Sequence, residues 1–71
     1  MQIVKINQQP VELYKILKFE GMVASGADAK MVIAEGLVKV NDVIETRKRR
    51  KINAGDTIEY EQEKILVQLL D

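Results

Sequence analysis

Five consecutive side chains, Arg47, Lys48, Arg49, Arg50 and Lys51, are the densest chemistry in this sequence. Guanidinium and ammonium groups donate hydrogen bonds and accept none, so the chemistry they suit is the holding of oxyanions, phosphate above all. Arginine can grip a phosphate with two parallel N–H bonds, while lysine acts as a compact charge. A basic run can also be a solvated edge that discourages strand pairing. Five adjacent positives repel one another, however, and ordinary surfaces interleave the signs. In extended backbone Arg47, Arg49 and Lys51 face one way, with Lys48 and Arg50 opposite. One set is then expected to track a phosphate backbone while the other reaches an adjacent groove or solvent.

The formal net charge is zero, yet a polyanion responds to the local field within about 10 Å at ordinary salt rather than to the molecular sum. Residues 46–51 carry only positive charges, whereas residues 52–71 set Lys64 against Asp56, Glu59, Glu61, Glu63 and Asp71. Lys15, Lys18, Lys30 and Lys39, on expected helix faces and a hairpin arm, are candidates to extend the basic patch. The aromatic residues are Tyr14, Phe19 and Tyr60, too few for base stacking to dominate, and Phe19 is expected in the core. Shape and phosphate recognition is thereby favoured over single-strand binding.

Other chemistries fit less well. Cysteine and histidine are both missing from the sequence, which removes disulfides, thiolate metal sites and the usual nucleophile–base pairs. Glu59, Glu61 and Glu63 alternate along one expected strand and read as solvating charge. No catalytic residue, metal site or cofactor is therefore expected. Gly21-Met-Val-Ala-Ser-Gly26 has the glycine spacing of a phosphate loop but lacks the Lys and Ser or Thr that must follow, so it reads as helix punctuation. No stretch approaches the roughly 20 apolar residues of a membrane helix. The opening Met1-Gln-Ile-Val-Lys5 has no signal-peptide core, and a cytoplasmic setting is expected.

These side chains must be positioned by one small domain spanning 1–71, since 71 residues leave room for one modest core. Residues 2–6 read as a strand. Pro10 suits a first helical turn, and residues 11–20 have helical period, with Leu13, Ile16 and Leu17 on one stripe and Gly21 placed to end the helix. Ser25 looks like an N-cap supported by Asp28, opening a second helix to about Glu35 with Ala29, Val32 and Ile33 inside and Gly36 as its stop. From Leu37 the period becomes two. Residues 37–40 and 43–46 read as strands around Asn41-Asp42, and residues 47–51 as continued extended chain. Asn53-Ala-Gly-Asp56 is a turn, followed by strands at 58–61 and 64–69. The expected class is α+β: a strand, a two-helix pair, then a small antiparallel sheet.

Ser25-Gly-Ala-Asp-Ala-Lys30, then Ile33-Ala-Glu-Gly-Leu-Val-Lys-Val-Asn41, then Ala54-Gly-Asp56 resembles the alpha-L RNA-binding motif, the domain first named for a small-subunit ribosomal protein of the S-four type. The likeness covers a core of about 11–60. Chain length and the segment Glu45-Thr-Arg-Lys-Arg-Arg-Lys51 look most like its small stand-alone, YbcJ-type members. The resemblance implies a helix pair on a small bent sheet, with RNA contacts from the start of the second helix and the following hairpin. Carried over by position these are Ser25, Lys30, Lys39 and Asn41. Many members have a basic residue directly after the serine, where this chain has Gly26, and that shifts the expected contact toward residues 47–51. The hydroxyl of Ser25 is expected to be spent largely on the helix cap.

The leading expectation is a monomer that binds structured RNA, of the ribosomal or transfer class, as an accessory or ribosome-associated factor. A protein-interaction adaptor docking on an acidic partner is the alternative. DNA binding is disfavoured because the second helix lacks a row of side chains suited to major-groove base edges.

Overall fold

The computed structural model describes residues 1–70. In chain order the elements are β1 (Gln2–Ile6), β2 (Val11–Glu12), α1 (Leu13–Phe19), α2 (Gly26–Ala34), β3 (Val38–Val40), β4 (Val43–Ile44), β5 (Lys51–Ile52), β6 (Thr57–Tyr60) and β7 (Glu63–Leu69). Five strands form one sheet in the order β1-β7-β6-β3-β4, and β2 pairs with β5 in a separate two-stranded ladder. The class is α+β, as expected. The main sheet is mixed rather than wholly antiparallel, because β1 lies parallel to β7 with Val4 opposite Val67. The two strands come from opposite ends of the chain, and that pairing leaves no local signal.

Period-two alternation turns one face of the sheet inward. Val38, Val40, Ile58, Ile65 and Val67 are buried and join Leu13, Ile16 and Leu17 of α1 and Ala29, Val32 and Ile33 of α2 in one core. Lys39, between two buried valines, is exposed and therefore points from the opposite face. Asn41 and Asp42 carry positive φ of 52° and 68°, the turn that matches hairpin twist, and β3 and β4 pair directly around it.

Both helices stop where the glycines predict. Gly21 has φ of +69°; its N–H donates to the Lys18 carbonyl, and the Met22 N–H donates to that of Leu17. At Gly36, with φ of +77°, the Gly36 and Leu37 N–H groups donate in the same way to Ile33 and Val32. These are paired left-handed caps that satisfy otherwise orphaned carbonyls. At the start of α2 the Ser25 hydroxyl accepts from the Asp28 N–H at 3.1 Å.

The start of α1 differs from expectation. Pro10 lies ahead of the helix, and Val11 and Glu12 are extended, paired with Ile52 and Lys51. Glu12 at the cap position makes no side-chain cap bond. The Leu13 N–H instead donates to the Arg50 carbonyl at 2.9 Å and the Tyr14 N–H to that of Lys48 at 3.1 Å. Backbone of the basic segment thus replaces the usual capping side chain. Phe19, expected in the core, is 69% exposed, because Ile16 and Leu17 already fill the inward stripe of this short helix.

Ser25→Ala removes the one side-chain acceptor at the start of α2. It is expected to lower unfolding stability by about 1 kcal/mol, read as a reduced urea midpoint at unchanged slope. An unchanged midpoint would contradict the capping role.

Candidate nucleic-acid interface

The basic segment is a turn rather than the extended strand expected from sequence. The Arg50 N–H donates to the Arg47 carbonyl at 3.1 Å, so the alternation of faces proposed for extended chain does not hold. Glu45 is the cause. Its N–H donates to the Val38 carbonyl at 2.9 Å, which carries the hairpin one residue past β4, and its side chain then turns inward to 7% exposure.

A buried carboxylate is costly unless its lone pairs are met, and four donors meet this one. Arg47 Nε and backbone N–H reach Oε2 at 2.9 and 3.0 Å. Arg47 Nη2 and Arg50 Nη1 reach Oε1 at 3.0 and 2.6 Å. The Arg47 side-chain hydrogen bonds, aided by its backbone N–H and by Arg50, hold the Glu45 carboxyl down at about 2 against the desolvation that would raise it. The same partner raises Arg47 above the usual guanidinium range. With Arg47 and Arg50 drawn to one anion, the carbonyls of Lys48 and Arg50 are left to cap α1.

Four of the sequence candidates, Arg47, Arg49, Arg50 and Lys51, line one concave pocket of about 450 Å³. Beside it Glu12 takes Lys15 at 3.3 Å and, more loosely, Arg49 at 3.8 Å. Among the described residues Lys48 and Lys51 make no ion pair, so their charge is undiverted.

Lys30 joins this surface through Tyr14. Its ammonium sits 4.7 Å from the Tyr14 ring centre, within reach of a cation–π attraction, while the Tyr14 backbone is the group held by Lys48. Gly26 belongs to the same cluster. A β-carbon there would meet Lys18 Cδ and Tyr14 Cδ2, each at 3.9 Å, which is ordinary contact. The position after Ser25 that lacks a positive charge thus lies against Lys18 and Tyr14.

The remaining candidates stand apart. Lys39 projects from the open face of the sheet, in register between Ile44 and Glu59. The Asn41 side chain is engaged within the fold: Nδ2 donates to Asp56 at 3.1 Å and Oδ1 accepts from the Thr57 N–H at 2.9 Å. It ties the hairpin to the Gly-Asp turn, where Asp56 also accepts from the Asn53 N–H at 2.8 Å. The Ser25 hydroxyl is spent on its cap. Lys64 is taken up by Asp42 at 2.8 Å, a contact that lowers the Asp42 carboxyl and raises the Lys64 ammonium. Glu59 lies on β6 and Glu63 on β7, while Glu61, with φ of 57°, sits in the turn between them, so the alternation along one strand expected from sequence does not hold.

Sequence reasoning missed Glu45 and Tyr14. Glu45 had a signal, being the one carboxylate within two residues of the cationic run. Tyr14 had none beyond helical spacing to Lys18.

Comparison with known proteins follows the same lines. The family model described as S4 domain matches residues 4–68. The Putative RNA-binding protein YbcJ of Escherichia coli is 58% identical over 50 residues, covering 70% of this chain and 71% of that protein. The Probable ribosome maturation protein RlbA of Bacillus subtilis is 34% identical over 58 residues, covering 82% of each. The solution structure of YbcJ from E. coli, described as revealing an alfaL motif involved in RNA-binding, matches with a TM-score of 0.73 and 46% identity, covering 96% of this chain and 87% of that one.

Glu45→Gln keeps the size but exchanges a charged acceptor for an amide facing two guanidinium groups. It is expected to cost about 1.5–3 kcal/mol of stability. A carboxyl held lower in the folded than in the unfolded chain stabilises the fold above its unfolded value and loses that contribution as pH falls. The stability gap between the two proteins should therefore be full above about 4.5 and close toward about 2. A gap independent of pH, in denaturation curves across that window, would contradict the ionised latch.

Proposed function

This chain belongs to the S4 domain family, and on that premise we propose that it is a non-catalytic module that binds structured RNA through the cationic surface built by residues 47–51 with Lys30, Lys18 and Lys15. The single observation that carries the reading is the pocket lined by Arg47, Arg49, Arg50 and Lys51, held in shape before any ligand arrives by Glu45 and the start of α1. Preorganised donors lose less freedom on binding. Arg47 is 72% exposed while it bonds Glu45, so its remaining donors face solvent and can take a phosphate oxygen.

Shape-read RNA suits this surface. Phosphates and 2′-hydroxyls across a shallow minor groove need fixed cations more than base-specific side chains. The RNA is of the ribosomal or transfer class, and the chain acts in the cytoplasm as a monomeric, ribosome-associated accessory factor. Two relatives, one named as an RNA-binding protein and the other as a ribosome maturation protein, support that setting. Lys39, Ser25 and Asn41, implied by the family pattern, act differently: Ser25 and Asn41 hold the frame, and Lys39 contributes long-range field from the sheet's open face.

Neutralising about five phosphates gives a log–log slope of affinity against salt between roughly −3.5 and −4.5. Affinity for a double-stranded RNA hairpin that ignores salt would overturn the reading. Lys48→Gln with Lys51→Gln removes two charges that support nothing in the fold. The double variant should keep its thermal midpoint, bind more weakly and show a slope shallower by about 1.4–1.8. Gly26→Arg restores the missing cation and should steepen the slope by about 0.7–0.9. An unchanged slope in both would place the site elsewhere.

A further inference from the structure

Phe19 is the last residue of α1, and a single exposed phenylalanine would mean little by itself. It lines a groove of about 740 Å³ between α1 and the end of β1, with Val4, Ile6, Pro10, Val11 and Ile16 among its apolar walls. That volume lies within the roughly 300–1,000 Å³ typical of small-ligand pockets. The same groove is lined by three lysines, Lys5, Lys15 and Lys51, and by two glutamates, Glu12 and Glu20. Glu12 is occupied by Lys15 and Arg49. Lys51 also lines the cationic pocket of the 47–51 loop, so the two depressions share a wall.

We propose that this groove is a second RNA subsite that takes an unpaired strand extension, with a nucleobase on the Phe19 ring and the flanking phosphates on Lys51, Lys15 and Lys5. The inference rests on the RNA-binding reading of the neighbouring pocket and adds a ligand class to it. Two observations select the occupant. An exposed aromatic face beside several cations matches a flat base joined to an anionic backbone, the combination that single-stranded recognition uses. Continuity through Lys51 places the groove where a strand leaving the helical part of a bound RNA would run. The groove then discriminates helices with a single-stranded end from blunt ones, a distinction the basic loop alone cannot make.

The test compares the full chain binding three RNAs at fixed salt: a blunt hairpin and the same hairpin with a short 3′ or 5′ extension. Wild type should prefer one extended form by roughly 5- to 150-fold, the range for one stacked base. Phe19→Ala should abolish that preference and leave blunt-hairpin affinity within about twofold, since the ring supports no core packing. Phe19→Trp should keep the preference, with indole emission quenched by the extended RNA and not by the blunt one. Equal wild-type affinity for all three RNAs, or a preference that survives Phe19→Ala, overturns the subsite while leaving the basic-loop reading standing. Failure to bind any of them overturns that reading itself. Self-association of the RNA-free chain that Phe19→Ala abolishes would reassign the groove to a second copy and overturn the proposal.

Discussion

Five adjacent cations repel one another, and here a buried carboxylate lets them share one short loop. Glu45 accepts from both Arg47 and Arg50, which turns the chain back on itself within four residues. That reversal brings the Lys48 and Arg50 carbonyls to the first amides of α1 and aligns Lys51 and Ile52 with Glu12 and Val11. A helix start, a two-stranded ladder and a cationic pocket thus follow from one anion. Desolvation opposes the ionised form of Glu45, and the arrangement persists because each of its oxygens is paired. No buried side-chain polar atom lacks a partner among the described residues, so the polar network is complete rather than half-satisfied, the condition under which such networks rigidify a structure.

Much of the frame was legible because local rules govern it. Ser25 with Asp28 marked one helix start, Gly21 and Gly36 marked two stops, and Asn41-Asp42 marked a hairpin, since each of these is decided within a few residues. The inward stripes of both helices and the alternation of Val38, Lys39 and Val40 were readable for the same reason. What could not be read was set by contacts distant in sequence. The parallel pairing of β1 with β7 joins the chain's ends, and the capping of α1 by residues 48 and 50 spans more than thirty positions. Charge alone suggested an extended basic strand. The correction came from Glu45, which the hairpin register sets opposite buried Val38 on the inward face and whose two arginine partners make burial sustainable.

The candidate site residues were legible in composition and their arrangement less so. Residues 47–51 and Lys30 do converge, but through Tyr14, a residue whose ring meets the Lys30 ammonium and whose amide meets the Lys48 carbonyl. Lys39 shares the sign of the patch and not its face, because strand alternation sends it to the open side of the sheet. Phe19 was misplaced because helical period alone does not say how wide the buried stripe is, and a helix of seven residues fills its inward face with Leu13, Ile16 and Leu17. The exposed ring beside Lys51 then gives a surface with two textures, one suited to phosphates and one to a flat apolar face.

The proposed RNA-contacting surface is the loop held by Glu45, with Lys30 and the outer face of α1. Backbone amide chemical shifts followed during titration with a double-stranded RNA hairpin test it most directly. Shifts are expected to concentrate at residues 47–51, at Tyr14, Lys15 and Lys18, and at Gly26 and Lys30, with Lys39 and Glu59 nearly unmoved. Shifts confined to the open face of the sheet around Lys39, with the 47–51 loop silent, would contradict it.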